Sequence, residues 1–379
     1  MGRGWHSGIT ESEKFFFSLL RSGLWDRPVD YIPTSPIDWK EIYKIVVKQT
    51  VVPLIADGID HFDGPKPEGA VQQAFINQVI QTERRNVQMN ACVEKIFKLL
   101  SEHNIQAYLL KGQGVARAYL NPLHRQPGDI DLLLLGDNYQ KAKELLIPLC
   151  HDVEKEITEN LHVAMMLDDI EIELHGTIKT NTDKKLDSRA AFWMDRTVAG
   201  SSPIWNSDGI LVKLPSYNFD PIFIFLHFFH HYISGGLGLR QICDWTMYLI
   251  RYSQFIDRKQ LEDDITFLKM KDAWNGFAAL SVGYLGCPKD DISFYSAKYL
   301  SKADKVVDYV LYGGNFGKYG NARYRNEPYL IRKAHSFLLK FKMSWAHITV
   351  FPKDTLSNLA GSMKEGFKAI FMDLFSKKE

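Results

Sequence analysis

The amino-acid sequence predicts an α+β protein, in which a small mixed β-sheet core is flanked by N-terminal and C-terminal helical regions. Apolar residues recur at helical spacing before residue 104 and after residue 214, whereas short continuous or alternating apolar runs lie between them. The length of 379 residues exceeds what one typical core supports. We therefore expect an N-terminal helical region (1–103), a core (104–214) and a C-terminal helical domain (215–379).

Composition excludes several classes of protein. The net charge is only +1. Proteins that bind long duplex nucleic acid usually carry an excess of basic residues, so we expect no such partner. The four cysteines form no CxxC pair, which argues against a disulfide framework or a zinc site. Residues Met1 to Thr10 lack a secretion signal, and the most apolar run, Pro221 to Phe229, is too short to span a bilayer. We expect a cytoplasmic protein without a membrane partner.

The N-terminal region begins with Phe15, Phe16, Leu19 and Leu20 at helical spacing. A similar pattern from Ile76 to Leu100 predicts one long helix, and the Gly/Pro-rich stretch Phe62 to Pro67 breaks the chain before it. Elements of the core are predicted in this order: strand Ile105 to Leu110, helix Gly112 to Leu120, strand Ile130 to Leu135, helix Asp137 to Leu149, strands Leu161 to Leu167 and Ile170 to His175 around an Asp168–Asp169 turn, and strand Ile210 to Leu214. In the C-terminal region we predict a histidine-rich helix, a helix from Leu239 to Ile250 and a glycine-rich loop from Gly313 to Gly320.

Two carboxylates at the head of a buried strand are the most informative feature. Side chains alternate along a strand, so Asp129 and Asp131 point to the same side. Two buried acids repel, and a divalent cation removes that conflict. Magnesium, or manganese in its place, prefers such oxygen ligands and commonly adds substrate phosphates. The alternative is that Asp129 caps a turn and Asp131 is solvated.

A third acid is expected on the strand Ile170 to His175. Glu171, Glu173 and His175 share one face of it, so one of the glutamates meets the Asp pair if the two strands are neighbours. Periodicity does not choose between Glu171 and Glu173, and an exposed strand face has the same pattern.

Phosphate binding is expected at Lys111, Gly112 and Gln113, where a strand gives way to a helix. Gly112 permits close approach of a phosphate, the helix start offers free N–H groups, and Lys111 adds charge. This is not a dinucleotide fingerprint, because Arg117 stands where its third glycine should be, and it is not a Walker loop.

Together these pieces resemble the DNA polymerase beta-type nucleotidyltransferase superfamily. More narrowly, they are similar to an uncharacterised bacterial nucleotidyltransferase family in LLKG at Leu109 to Gly112, Tyr119 to Pro122, Arg125, GDIDLLL at Gly128 to Leu134, IELH at Ile172 to His175 and GLGLRQICDW at Gly236 to Trp245. Two departures stand out. Gln113 replaces the usual serine, and residues Asn121 to Pro127 lengthen the interval between glycine and aspartate.

The resemblance implies that Asp129 and Asp131 are the catalytic metal pair and that Glu173 is the third carboxylate. The implied reaction transfers NMP from an NTP, with ATP expected, to a hydroxyl or phosphate of a small molecule, protein or RNA. Glu173 would favour deprotonation of the acceptor, and pyrophosphate would leave. The alternative is a catalytically silent nucleotide-binding or regulatory protein on the same fold.

Four residues are candidates for the acceptor site. His227 and His231 lie four apart and share a helix face, and Arg240 and Asp244 follow a glycine-rich turn. The alternative for the histidines is packing in a seam between domains. We also expect Arg125 to reach the triphosphate, with an ordinary salt bridge as the alternative.

Overall fold

The structure is a computed structural model that describes residues 8–178, 184–207, 209–314, 344–345 and 347–360. It confirms the predicted α+β class, with helices on both sequence flanks of a small mixed sheet. Most of the predicted loop from Gly313 to Gly320 lies outside the described residues.

The N-terminal region is helical, as predicted. Its helices are α1 (Glu11–Trp25), α2 (Trp39–Gln49), α3 (Val52–Asp60) and α4 (Gly69–Glu102). Helix α4 is the predicted single long helix, and the Gly/Pro-rich break separates it from α3. Helices α1 and α3 cross closely at Gly23, where a Cβ atom would lie 1.9 Å from the Leu54 carbonyl oxygen. Only glycine permits this contact.

The main sheet has four strands in the order β1-β2-β4-β3. They are β1 (Tyr108–Leu110), β2 (Ile130–Leu133), β3 (His162–Leu167) and β4 (Ile170–His175). Strand β2 is antiparallel to β1 and parallel to β4, and β3 and β4 form the predicted hairpin. The parallel pairing of β2 and β4 satisfies the condition for one glutamate to meet the Asp pair.

Two helices of the core are shorter than predicted. They are α5 (Gly112–Ala116) and α6 (Asp137–Leu146). Helix α6 gives way to a 3-10 turn at Ile147–Leu149, because Pro148 has no N–H to continue the α-helical pattern.

Alternation along the strands gives the sheet two different faces. Leu109, Ile130, Leu132, Ile172 and Leu174 belong to one apolar cluster with residues of α4 and α6. The intervening positions of β2 and β4 turn the carboxylates to the opposite face. Burial of the first face therefore determines the orientation of the second.

Three further elements lie between the main sheet and the C-terminal helices in sequence. Helix α7 (Lys184–Thr197) and strand β5 (Ile204–Ser207) were not predicted. Strand β6 (Ile210–Lys213) matches the strand predicted at Ile210 to Leu214, but it pairs with β5 in a separate two-stranded sheet. Trp205 and Val212 bury this hairpin against the apolar cluster of the main sheet.

The described part of the C-terminal region is helical, again as predicted. Its helices are α8 (Phe219–Ser234), α9 (Leu239–Arg251), α10 (Arg258–Phe267), α11 (Lys271–Gly283) and α12 (Leu300–Gly313), and residues 352–360 are also helical. Phe225 and Phe228 of α8 pack against Trp245 and Phe277. In the described part of the chain, no helix combines the length and apolar character needed to cross a bilayer.

Candidate active site

Three carboxylates converge where β2 and β4 run side by side. Asp131 and Glu173 are register partners in the parallel pair, and Asp129 lies just before β2. One oxygen from each of Asp129, Asp131 and Glu173 lies within 4.8 Å of the other two. Asp131 is fully buried, so this is not the solvated arrangement of the alternative interpretation.

Lys111 brings a positive charge into this cluster. Its Nζ atom lies 2.9 Å from Asp131 Oδ2 and 3.6 Å from Asp129 Oδ2. Burial lowers the pKa of Lys111, but the charges of Asp129 and Asp131 outweigh it and raise the pKa above its ordinary value. The repulsion between the two aspartates is thus relieved in this structure by an ammonium group.

The carboxyl groups differ in how readily they ionise. Lys111 holds the pKa of Asp129 below its ordinary value. Burial and the neighbouring charge of Asp129 raise the pKa of Asp131. Burial also raises the pKa of Glu173, but hydrogen bonds from His162 and His175 and the charge of Lys111 reverse this and lower it overall. The cluster therefore includes two carboxylates that remain ionised at neutral pH.

Two histidines flank Glu173. His162 Nε2 and His175 Nε2 each lie 3.3 Å from Glu173 Oε2, and His175 Nε2 also lies 2.9 Å from Asp131 Oδ1. Burial lowers the pKa of His175, but the bonds to Asp131 and Glu173 raise it to about 9. His162, which the sequence analysis missed, is the register partner of His175 across the hairpin. A two-residue turn at Asp168–Asp169 already implies this pairing, since the two histidines are equally far from it.

Two carboxylates of the cluster, Asp129 and Glu173, border a cavity of about 320 Å³. Its lining includes Asp129, Glu171 and Glu173 on one side and helices α8 and α9 on the other. Glu171 borders the cavity but belongs to neither of the two clusters among the described residues whose side chains are placed to hold a metal ion. The structure therefore distinguishes Glu173 from Glu171, although both lie on the same face of the strand and alternation alone does not choose between them.

His227 and His231 of α8 line the same cavity and face each other, as their spacing predicted. Their Nε2 atoms are 3.2 Å apart, and His227 Nε2 lies 3.4 Å from Lys111 Nζ. Burial and the charge of Lys111 lower the pKa of His227, and burial with the charge of His230 lowers that of His231 to about 3. Both imidazoles are therefore neutral at physiological pH.

Arg125 forms a buried salt bridge, which is the alternative considered for it. Its Nε and Nη2 atoms donate to the two carboxylate oxygens of Asp244 at 2.8 and 2.9 Å. The Tyr119 hydroxyl donates to Asp244 as well, at 2.7 Å. Arg125 and Asp244 still border the cavity, but each is neutralised by the other.

Arg240 holds the segment that leads into the carboxylate cluster. Its Nη1 atom donates to the carbonyl oxygens of Gln126 and Pro127, at 2.9 and 3.3 Å. Its buried Nε atom has no hydrogen-bond partner among the residues described. Arg240 therefore positions the inserted segment and also brings positive charge to the cavity wall.

The turn between β1 and α5 has an unusual backbone. Lys111 has φ 36° and Gly112 has φ 45°, both in the left-handed region. A Cβ atom on Gly112 would lie 3.3 Å from the Asp129 carbonyl oxygen. Gln113 turns away from the cavity, because its Nε2 atom donates to the side-chain oxygens of Asn90 and Asn86 at 2.7 and 3.3 Å. The predicted phosphate turn thus faces the cavity through Lys111 and Gly112.

Comparison with known proteins identifies the family. Residues 35–284, more than half of the chain, match a family described as uncharacterised nucleotidyltransferase. This span contains all of the carboxylates, histidines and cavity residues described above. No curated protein and no solved structure matches the chain. The protein therefore belongs to the uncharacterised nucleotidyltransferase family.

Proposed function

We propose that the protein is a metal-dependent nucleotidyltransferase that moves NMP from an NTP to a hydroxyl or phosphate acceptor and releases pyrophosphate. ATP is the expected donor, and the acceptor belongs to a small molecule, a protein or RNA. Family membership supports nucleotidyl transfer in general. The observation that carries metal dependence is the convergence of Asp129, Asp131 and Glu173 at the edge of a cavity.

The donor set of this cluster fits magnesium or manganese. All three groups are carboxylates, and magnesium prefers oxygen ligands from one or two carboxylates together with substrate phosphates. Burial and mutual repulsion favour a divalent cation among these oxygens. Lys111 partly fulfils this role here, so its ammonium must withdraw when a metal ion binds.

Different side chains of the cavity would bind the metal ion and the triphosphate. Asp129, Asp131 and Glu173 would hold magnesium, which stabilises the charge on the entering and leaving oxygens of phosphoryl transfer. Lys111 and Arg240 provide positive charge for the triphosphate, and Gly112 leaves the turn open to it. Because its pKa is lowered, Glu173 stays ionised and is a weak base, so it is better suited to bind a metal ion than to accept a proton.

The neutral imidazoles of His227 and His231 line the opposite wall. We place the acceptor on this side, because Asp129 and Glu173, which would hold the metal ion and with it the triphosphate, lie on the strand side of the cavity.

Thermal melting tests whether this site binds metal and nucleotide. Mg²⁺ or Mn²⁺ with an NTP should raise the Tm, because a ligand that binds only the folded state adds about 2.7 kcal/mol at a hundredfold excess over Kd. The double variant Asp129→Asn/Asp131→Asn should lose this rise. Asp168→Asn/Asp169→Asn, which makes the same charge change in the exposed hairpin turn, should keep it. A full response in the first double variant would place the site elsewhere.

One observation favours the alternative, a catalytically silent nucleotide-binding or regulatory protein. Gln113 stands where the superfamily has serine, and its side chain bonds to α4 instead of facing the cavity. An NTP labelled at the α-phosphate distinguishes the two functions. Incubated with cell extract and magnesium, the enzyme should transfer label to an acceptor, and Asp129→Asn should not. Nucleotide binding without transfer from any of the common NTPs would support the silent function.

A further inference from the structure

We propose a second metal site, formed by His162, Glu173 and His175, that adjoins the carboxylate cluster and takes a first-row transition-metal ion. The ligand atoms of the three residues all lie within 4.8 Å of one another. Both imidazoles turn their Nε2 atoms toward the same oxygen, Glu173 Oε2. Glu173 thus belongs to two clusters, one of carboxylates and one rich in imidazole.

The separations between these atoms also match those of ligands around one metal ion. Each Nε2 atom lies 3.3 Å from Glu173 Oε2. Ligands placed tetrahedrally around zinc, at its usual bond lengths, are roughly 3.4 Å apart. A typical N–H···O hydrogen bond measures about 2.9 Å, the separation that His175 Nε2 has from Asp131 Oδ1.

The backbone holds the three side chains in place. His162 and His175 are register partners in the β3–β4 hairpin, and their rings are 4.9 Å apart. Glu173 lies two residues before His175 on the same face of β4. The three side chains are between 21% and 23% exposed, so an ion could reach them from solvent while the strands keep them ordered.

Two imidazole nitrogens and one carboxylate oxygen suit zinc, cobalt or iron, whereas magnesium and manganese prefer oxygen ligands. The neighbouring clusters should therefore select different ions. The absence of paired cysteines argues only against a zinc site built from thiolates. This cluster contains no thiolate, and its histidines come from two strands.

Binding of Co²⁺ to metal-depleted protein, without nucleotide, tests the proposal. We expect visible absorption bands of Co²⁺ bound by nitrogen and oxygen, with one ion bound per chain. Substitution His162→Gln should weaken Co²⁺ and Zn²⁺ binding at least tenfold. His151→Gln, which changes an exposed histidine on a neighbouring segment, should leave it unchanged. Millimolar Mg²⁺ should not displace the Co²⁺.

Equal Co²⁺ binding by His162→Gln and the unaltered protein would overturn the proposal, as would complete displacement of Co²⁺ by Mg²⁺. If His162→Gln does not fold, His175→Gln provides the same comparison. Asp129→Asn separates this site from the proposed function, because it should impair the magnesium–NTP response and retain Co²⁺ binding. Failure of one proposal therefore leaves the other intact.

Discussion

At the scale of single residues, Lys111 balances the charge of the carboxylate cluster. Its ammonium contacts Asp131 and lies near Asp129, at the position where a divalent ion would bind the same oxygens. An ammonium and a metal ion repel each other, so the two compete for these carboxylates. The Lys111 ammonium also lies 3.4 Å from His227 Nε2, a neutral nitrogen outside the carboxylate cluster.

Replacing Lys111 by methionine should distinguish its role as the counter-charge of the carboxylates from its role in NTP binding. Without metal, Lys111→Met should lower the free energy of unfolding by about 3 to 5 kcal/mol, because it leaves buried carboxylates without a counter-charge. Binding of Mn²⁺ alone should strengthen about tenfold, or ~1.4 kcal/mol, while NTP affinity falls. Calorimetric titration measures both affinities, and thermal melting measures stability. Weaker Mn²⁺ binding by Lys111→Met would show that Lys111 does not compete with the metal.

The two glutamates of β4 provide a second residue-scale prediction. Glu173→Gln should retain the fold and much of the nucleotide binding but lose turnover, because Glu173 lies in the carboxylate cluster. Glu171→Gln should have a smaller effect, since Glu171 borders the cavity outside that cluster. Label transfer or pyrophosphate release measures activity, and thermal melting checks folding. Full activity in Glu173→Gln with an inactive Glu171→Gln would reverse the assignment.

At the scale of elements, the site depends on the register of two strands and on one turn. Parallel pairing of β2 and β4 places Asp131 beside Glu173, although 42 residues separate them in sequence. The turn before α5 brings Lys111 under the carboxylates, and its left-handed backbone requires Gly112. Helix α5 has only five residues, so its N-terminus supplies a small dipole, and the proposed binding of phosphate would depend more on charged side chains.

A matched pair of glycine variants tests this turn. Gly112→Ala and Gly136→Ala both place an alanine at positive φ, 45° and 57°, and each should cost about 1–2 kcal/mol of stability. Around Gly136 a Cβ atom would meet open space, whereas on Gly112 it would crowd the Asp129 carbonyl at the cavity edge. Only Gly112→Ala should weaken NTP binding. Equal NTP affinity in the two variants would remove the turn from the site.

At the scale of the whole molecule, one large apolar cluster joins the N-terminal helices to the C-terminal helices. It includes Phe15 of α1 and Phe225 of α8. Asp220 lies in the first turn of α8 and is only 4% exposed. Burial raises its pKa to about 8, so the folded protein keeps this carboxyl protonated over much of the physiological range. The packing of the molecule thus makes its stability depend on pH.

Stability should fall as pH rises between 3.8, the ordinary pKa of Asp220, and about 8. A carboxyl with a higher pKa in the folded state favours folding when protonated, and this contribution declines by up to ~1.4 kcal/mol per pH unit until the folded pKa is passed. Asp220→Asn should flatten the decline, and the exposed Asp137→Asn in the first turn of α6 should not. Unfolding at pH 5 and pH 8 measures the slopes, and parallel slopes for all three proteins would contradict this role of Asp220.

The sequence by itself determined the features that depend on local backbone geometry. Helical periodicity identified α4, and alternation placed Asp129 and Asp131 on one side and Glu171 and Glu173 on another shared face. These features can be predicted because the regular geometry of a helix or strand determines the direction of each side chain. The Asp168–Asp169 turn could also have revealed His162, since a two-residue hairpin determines its register.

Tertiary structure alone decided which charges meet. The contact of Lys111 with Asp131 depends on how β1 lies beside β2, and Arg125 pairs with Asp244 across 119 residues of sequence. The pairing of β6 with β5 instead of the main sheet is likewise non-local. Charged side chains have several possible partners in a chain with 46 basic and 45 acidic residues. The packing of the elements selects among them, because burial penalises every charge that is left without a counter-charge.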